Sequence, residues 1–183
     1  MKINKIGLCG LIGLFVLIIA ASGCTSFNQV QNKTFSNGGI TFQYPGTWAD
    51  NITFNYANAP TSNHTVIGTM GDNTTKLSVY YLDLKEPIFS GFTIESLIQL
   101  AHSQETGGTE RLTTNTSTSN NITFYEEIYT SKDGVSGEIY KNYRVLFGKN
   151  GDKLYFMLFK TKEADFQKSY QQMKEIQSSV KYT

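Results

Sequence analysis

Six apolar residues, Leu154-Tyr155-Phe156-Met157-Leu158-Phe159, run unbroken between Lys153 and Lys160. A run with no polar alternate positions predicts a strand covered on both faces. Such a strand needs a layer on either side and strands on both edges. The neighbouring sequence supplies candidates. Gly148-Lys149-Asn150-Gly151-Asp152 reads as a hairpin loop, because Asn-Gly accepts the positive φ of a tight turn. Before it, 138–147 reads as a strand with Tyr143, Val145 and Phe147 on one face. Earlier still, Ile122, Phe124, Glu126 and Ile128 alternate with Thr123, Tyr125, Glu127 and Tyr129, and Leu77, Val79 and Tyr81 alternate with Ser78 and Tyr80. Both are period-two patterns. Shorter strand candidates lie at 51–56, 65–69 and 109–114, and the polar stretch 115–121 reads as a loop.

The stretch Gly39-Ile40-Thr41-Phe42-Gln43-Tyr44-Pro45-Gly46-Thr47-Trp48 reads as one more strand, with Ile40, Phe42 and Tyr44 on its buried face. Ser36-Asn37-Gly38-Gly39 before it predicts a hairpin turn that pairs it with 33–35. Pro45 lacks a backbone donor and should end the strand. Trp48, the single tryptophan, should plug one end of the core with its indole N–H finding a partner. The other reading is an exposed stacking platform for a sugar ring.

Two helices follow from 3.6-residue spacing. Thr93 caps the first, whose apolar face carries Ile94, Leu97, Ile98 and Ala101 and which Gly107-Gly108 ends. The second spans 162–179, with Phe166, Tyr170, Met173, Ile176 and Val180 along one side. The expected architecture is α+β: one domain over 33–183, an antiparallel sheet flanked by helices.

The start of the chain has a different character. Lys2 and Lys5 precede an uncharged, mostly apolar run over 6–21, and small residues Ala21-Ser22-Gly23 stand directly before Cys24. This layout is that of a secretory leader over 1–23. It resembles a prokaryotic lipoprotein leader, in which Cys24 becomes the first residue and carries lipid. An uncleaved anchor helix is the alternative, although the run is short of the roughly 20 apolar residues a bilayer needs. Either way the rest is tethered outside the membrane, with 24–32 as a linker. Cys9 lies in the leader and Cys24 is the only other cysteine, so no disulfide is expected. The net charge is +1 and falls to −1 without Lys2 and Lys5. With Arg111 and Arg144 the only arginines, no basic stripe exists for nucleic acid.

No chemistry declares itself. The two histidines, His64 and His102, lack ligand spacing, and no Gly-x-Ser-x-Gly, phosphate-loop or His-Glu-x-x-His motif occurs. Neither a metal nor a cofactor is expected. Glu126 and Glu127 are adjacent on a strand, so they point to opposite faces and cannot act as a pair. The other carboxylates read as solvated. Asn32, Asn51, Asn63, Asn73, Asn115 and Asn121 each begin an Asn-x-Ser/Thr sequon, mostly in expected loops, and are candidate glycan carriers. A lipoprotein leader with many sequons fits an archaeal cell surface.

The pattern Gly-x-x-Phe-x-Tyr-Pro-x-x-Trp, on Phe42, Tyr44, Pro45 and Trp48, resembles the PsbP-like family in its prokaryotic lipoprotein branch. The element order supports the resemblance over 34–182. It implies an α/β/α sandwich, and a structural role for those four residues. Members in photosynthetic organisms are non-enzymatic factors that assist membrane complexes, but fold alone does not transmit function. Three functions are expected in descending order. The first is a non-catalytic surface lipoprotein that binds or assembles envelope components. The second is a small-ligand or glycan-binding module using Tyr56, Tyr80, Tyr81 or Tyr125. The third is an enzyme built around His64 or His102.

Overall fold

A computed structural model describes residues 31–53, 64–93, 96–97, 100, 111–133, 136–149 and 152–183. The chain divides into two compact units, Met1–Val30 and Gln31–Thr183. The expected leader and Cys24 lie outside the described residues, as do Tyr56, Asn63 and His102.

Among the described residues of Gln31–Thr183, ten strands form two antiparallel sheets. Strands β1 (Lys33–Asn37), β2 (Ile40–Tyr44) and β10 (Lys181–Tyr182) make the smaller, in the order β1-β2-β10. The larger contains β3 (Ala49–Asp50), β4 (His64–Gly71), β5 (Thr75–Asp83), β6 (Arg111–Ser119), β7 (Ile122–Lys132), β8 (Ile139–Lys149) and β9 (Lys153–Lys162), in the order β3-β4-β5-β9-β8-β7-β6. The six-residue apolar run falls on β9, fourth of seven and buried on both faces from Leu154 to Phe159. The architecture is the α+β sandwich expected from the sequence.

One face of the large sheet carries Leu77, Val79, Phe124, Tyr143, Val145, Phe147, Tyr155, Met157 and Phe159. It is covered by the small sheet through Ile40, Phe42 and Tyr44, by Trp48, and by the helix Phe166–Ser178 through Phe166, Met173 and Ile176. Fully burying such side chains stabilises by about 1.5–3 kcal/mol each. The other face carries Tyr80, Tyr129, Leu146, Leu154, Phe156 and Leu158 beneath Leu82, Leu84, Phe89 and Leu97. Leu97 belongs to the first expected helix, most of which lies outside the described residues. Its start is visible: Ser96 N donates to Thr93 Oγ1 (3.2 Å) and Thr93 N to Ser96 Oγ (2.9 Å), a reciprocal cap. Among the described residues no helix is long and apolar enough to cross a membrane.

Several local expectations need correction. The β1–β2 turn is not Asn-Gly: Asn37 pairs with Ile40, and Gly38 (φ 65°) and Gly39 (φ 96°) make the turn. The stretch expected as a loop over 115–121 is largely strand β6, which pairs with β7 from Arg111↔Tyr129 to Ser119↔Ile122. Exposed Thr and Asn side chains suit a polar sheet edge, and the long partner β7 provides the ladder. Only Asn120-Asn121 turns, both with positive φ. The closing helix starts at Phe166, after a 3₁₀ turn over Glu163–Asp165. At Gly68 a Cβ would lie 2.5 Å from the Phe35 ring. A glycine there lets the N-terminal hairpin press against β4, where the ladder slips between Val66 and Gly68.

Candidate functional site

Trp48 is 1 % exposed and sits in the core. Pro45 follows the last residue of β2, and its carbonyl accepts the Trp48 N–H at 3.0 Å. The indole Nε1, expected to find a partner, has none among the described residues. Tyr44 is also buried and donates its hydroxyl to Asp50 Oδ1 at 2.7 Å. These two residues join the hairpin to β3, with Lys33 Nζ donating to Trp48 O (2.7 Å) and Asp50 Oδ2 (3.3 Å).

The described candidate tyrosines divide between the two faces of the large sheet. Tyr80 is buried against Phe156, with ring centroids 4.7 Å apart, on the face away from the C-terminal helix. Tyr81 points to the helix face, under Lys153 Nζ at 4.2 Å. Tyr125 is half-buried on Tyr80's face. His64 packs its ring edge against Tyr80. Among the described residues no group of three or more His, Cys, Asp or Glu side chains converges.

Glu126 and Glu127 are buried carboxylates of β7. Both are 4 % exposed, on opposite faces of β7. Glu126 lies under the C-terminal helix and accepts from Lys174 Nζ (2.7 Å), Gln177 Nε2 (2.8 Å) and Ser117 Oγ. Tyr143 donates to Gln177 Oε1 and receives Lys174 Nζ at 3.3 Å. Burial pulls the Glu126 pKa up, but the donors outweigh it and hold it below 4.5. Burial beside Glu126 pushes the Tyr143 hydroxyl far up. Glu127 pairs with Arg144, which is 0 % exposed and lies 5.2 Å from the Tyr129 ring centroid. Both clusters are satisfied from within and read as structural. An acidic residue breaking an apolar alternation was their signal in the sequence.

A different arrangement faces solvent. A cleft of about 280 Å³ is lined by Asn73, Thr74, Lys76, Asp133, Glu138, Tyr140, Lys160 and Lys162. Asp72 shapes the first wall: its Oδ1 accepts from Thr74 N (2.8 Å) and Thr75 N (2.7 Å), closing a turn that presents Asn73 and Thr74. Register supplies the floor, with Lys76 opposite Lys160 and Tyr140 opposite Lys162. The carboxylates are engaged. Glu138 accepts from Lys162 Nζ and the Tyr140 hydroxyl, each at 2.6 Å. Asp133 accepts from Ser136 N (2.7 Å) and Ser136 Oγ (2.9 Å). The hydrogen bond to Glu138 pushes Tyr140 up to about 12, and Lys162's donation holds Glu138 low. Lys160 Nζ stands 4.2 Å over the Tyr140 ring, and desolvation lowers its pKa. Sequence reasoning missed this site, because its lysines meet only through strand register.

Of the candidate sequons, Asn32, Asn51, Asn73, Asn115 and Asn121 are exposed. Asn73 lines the cleft and Asn115 sits on β6 rather than in a loop.

No family model matches the sequence, and no curated relative matches it. Solved structures do. A solution structure of cyanobacterial PsbP (CyanoP) from Synechocystis aligns with a TM-score of 0.59 at 16 % identity, covering 90 % of this chain and 99 % of that one. The fold is PsbP-like. The same PsbP-like arrangement matches LpqN, described as involved in cell envelope biogenesis of Mycobacterium tuberculosis, at TM-score 0.52 and 10 % identity over 84 % of this chain and 91 % of that one. It also matches the Saccharomyces cerevisiae Ran-binding protein Mog1p, at 0.51 and 13 % over 84 % and 96 %. At these identities the likeness is one of fold.

Proposed function

We propose that this chain is a lipoprotein held at the extracytoplasmic face of the cell membrane through Cys24. Its PsbP-like domain binds another envelope component and catalyses no reaction. The anchoring half rests on the charged start, the apolar run and Ala21-Ser22-Gly23-Cys24. The binding half rests on one observation: the cleft gathers hydrogen-bond donors and cations around a solvent-facing space, over a core filled by its own side chains. The envelope role in LpqN's description and the binding role in Mog1p's are in keeping with it. The half-buried Lys160 in the cleft also favours the narrower reading of a small-ligand or glycan-binding module.

Two measurements test the proposal. The native protein should partition into the detergent phase on cloud-point separation, with lipid on the Cys24 peptide by mass spectrometry, and Cys24→Ser should move it to the aqueous phase. Two acyl chains hold a protein firmly, at about 0.8 kcal/mol per buried CH₂. A photo-crosslinker placed at Asn73, on the cleft rim, should trap a discrete envelope component in intact cells. Aqueous partition of the native protein sinks the anchor, and a cleft that traps nothing sinks the binding role.

A further inference from the structure

Two lysines of the cleft are placed against electrostatic preference. Lys76 and Lys160 are partners across β5 and β9 and project from the same face. Directly opposite residues in an antiparallel pair have Cβ atoms about 4.5–5.5 Å apart, and like charges there repel. Lys162, two residues on, is neutralised by Glu138. Neither Lys76 nor Lys160 makes a direct ion pair among the described residues: Glu138 is bonded to Lys162 and Tyr140, and Asp133 accepts from Ser136, so both carboxylates reach Lys160 only as nearby charges in the same cleft. Burial removes water from Lys160 and is the largest influence on its charge; the nearby Asp133 and Glu138 offset part of that cost, and Lys76 adds to it. Asn73 and Thr74, which carry neutral donors, line the same cleft.

We infer that the Lys76–Lys160 end of this cleft is a receptor for a phosphate group, free or esterified to a small molecule. A phosphate monoester carries about −1.5 to −2 charges at pH 7 and three acceptor oxygens. It would cancel both ammonium charges and leave an oxygen for Asn73 or Thr74. Lysine binds phosphate as a point charge and needs no fork geometry. At about 280 Å³ the space lies just under the range of drug-sized pockets, so a phosphorylated sugar or a headgroup fits better than a polymer segment. This inference rests on reading the domain as a binding module and names the chemistry of its cleft.

The test is lysine acylation footprinting of the full chain in neutral detergent, read by mass spectrometry. Inorganic phosphate, a hexose phosphate and soluble short-chain phosphatidylglycerol are titrated separately against sodium chloride of equal ionic strength. Exposed Lys168 on the C-terminal helix is the internal reference. Phosphate should protect Lys76 and Lys160 saturably and leave Lys168 unchanged. Lys160→Gln should weaken phosphate binding about tenfold, as expected for losing one charge-assisted hydrogen bond. Lys76→Gln should do the same. Tighter protection by the hexose phosphate assigns a soluble ester, and by phosphatidylglycerol a lipid headgroup. Protection no better than chloride, or phosphate binding unchanged in both variants, overturns the inference. If phosphate gives no protection while Asn73 still traps the envelope component, the phosphate site fails and the wider binding role stands.

Discussion

Trp48 shows how much one side chain carries here. Its ring closes the core between the hairpin and β3, and its carbonyl receives Lys33 Nζ. Trp48→Ala should destabilise by about 3–5 kcal/mol. Trp48→Phe should cost clearly less, because Nε1 has no partner among the described residues to lose. Chemical denaturation of the two variants checks the order. Glu126 carries a pH dependence. Its folded-state pKa lies below the ordinary 4.5. A depressed carboxylate contributes stability that is fully present above 4.5 and fades as pH falls through the folded value. Glu126→Gln should therefore flatten the fall in melting temperature on the acid side of pH 4.5, as a thermal melt series will show.

Among elements, β7 is the most informative. It places Ile122 and Phe124 under the helix, then Glu126 on that face and Glu127 on the other. The Glu127–Arg144 pair is buried between β7 and β8, with Arg144 Nε to Glu127 Oε2 at 3.0 Å. Breaking such a pair leaves one charge alone in the core and costs about 3–5 kcal/mol, whereas removing both charges is often close to neutral. Glu127→Leu and Arg144→Met should each destabilise strongly, and the double substitution should recover most of the loss. A double-mutant cycle by denaturant titration measures this. Strands β5, β8 and β9 and the C-terminal helix were legible, because each has a full period of apolar positions. Strand β6 was not. Its Thr, Ser and Asn residues satisfy turn chemistry as readily as sheet chemistry, and only pairing with β7 decided between them.

For the whole molecule, the sequons make a distinction that the sequence could not. A glycan acceptor is recognised together with its hydroxyl residue, and the folded protein treats those hydroxyls differently. Thr75 is 1 % exposed and donates to Ser169 Oγ at 2.8 Å, and Ser117 is tied to Glu126. Thr34, Thr53 and Thr123 are exposed. If glycans are added after folding, they should favour Asn32, Asn51 and Asn121 over Asn73 and Asn115. Glycopeptide mass spectrometry of the native protein reads the ratio, and an intact mass of lipid plus bare polypeptide removes glycosylation altogether.

Local composition was enough to mark a both-faces-buried strand, an N-terminal hairpin with its proline stop, and a covering helix, because burial on a pleated or helical surface imposes a period on the chain itself. The proposed leader likewise rests on local order alone, charge then apolar run then small residues. Tertiary structure alone decided which polar groups meet. Lys76 lies 84 positions before Lys160 and faces it only through ladder register, and Glu126 meets Lys174 only because the helix lies across β7. Charge pairing between distant segments leaves no periodic trace in a sequence, so the cleft and the buried ion pairs became visible only once the strands were in register.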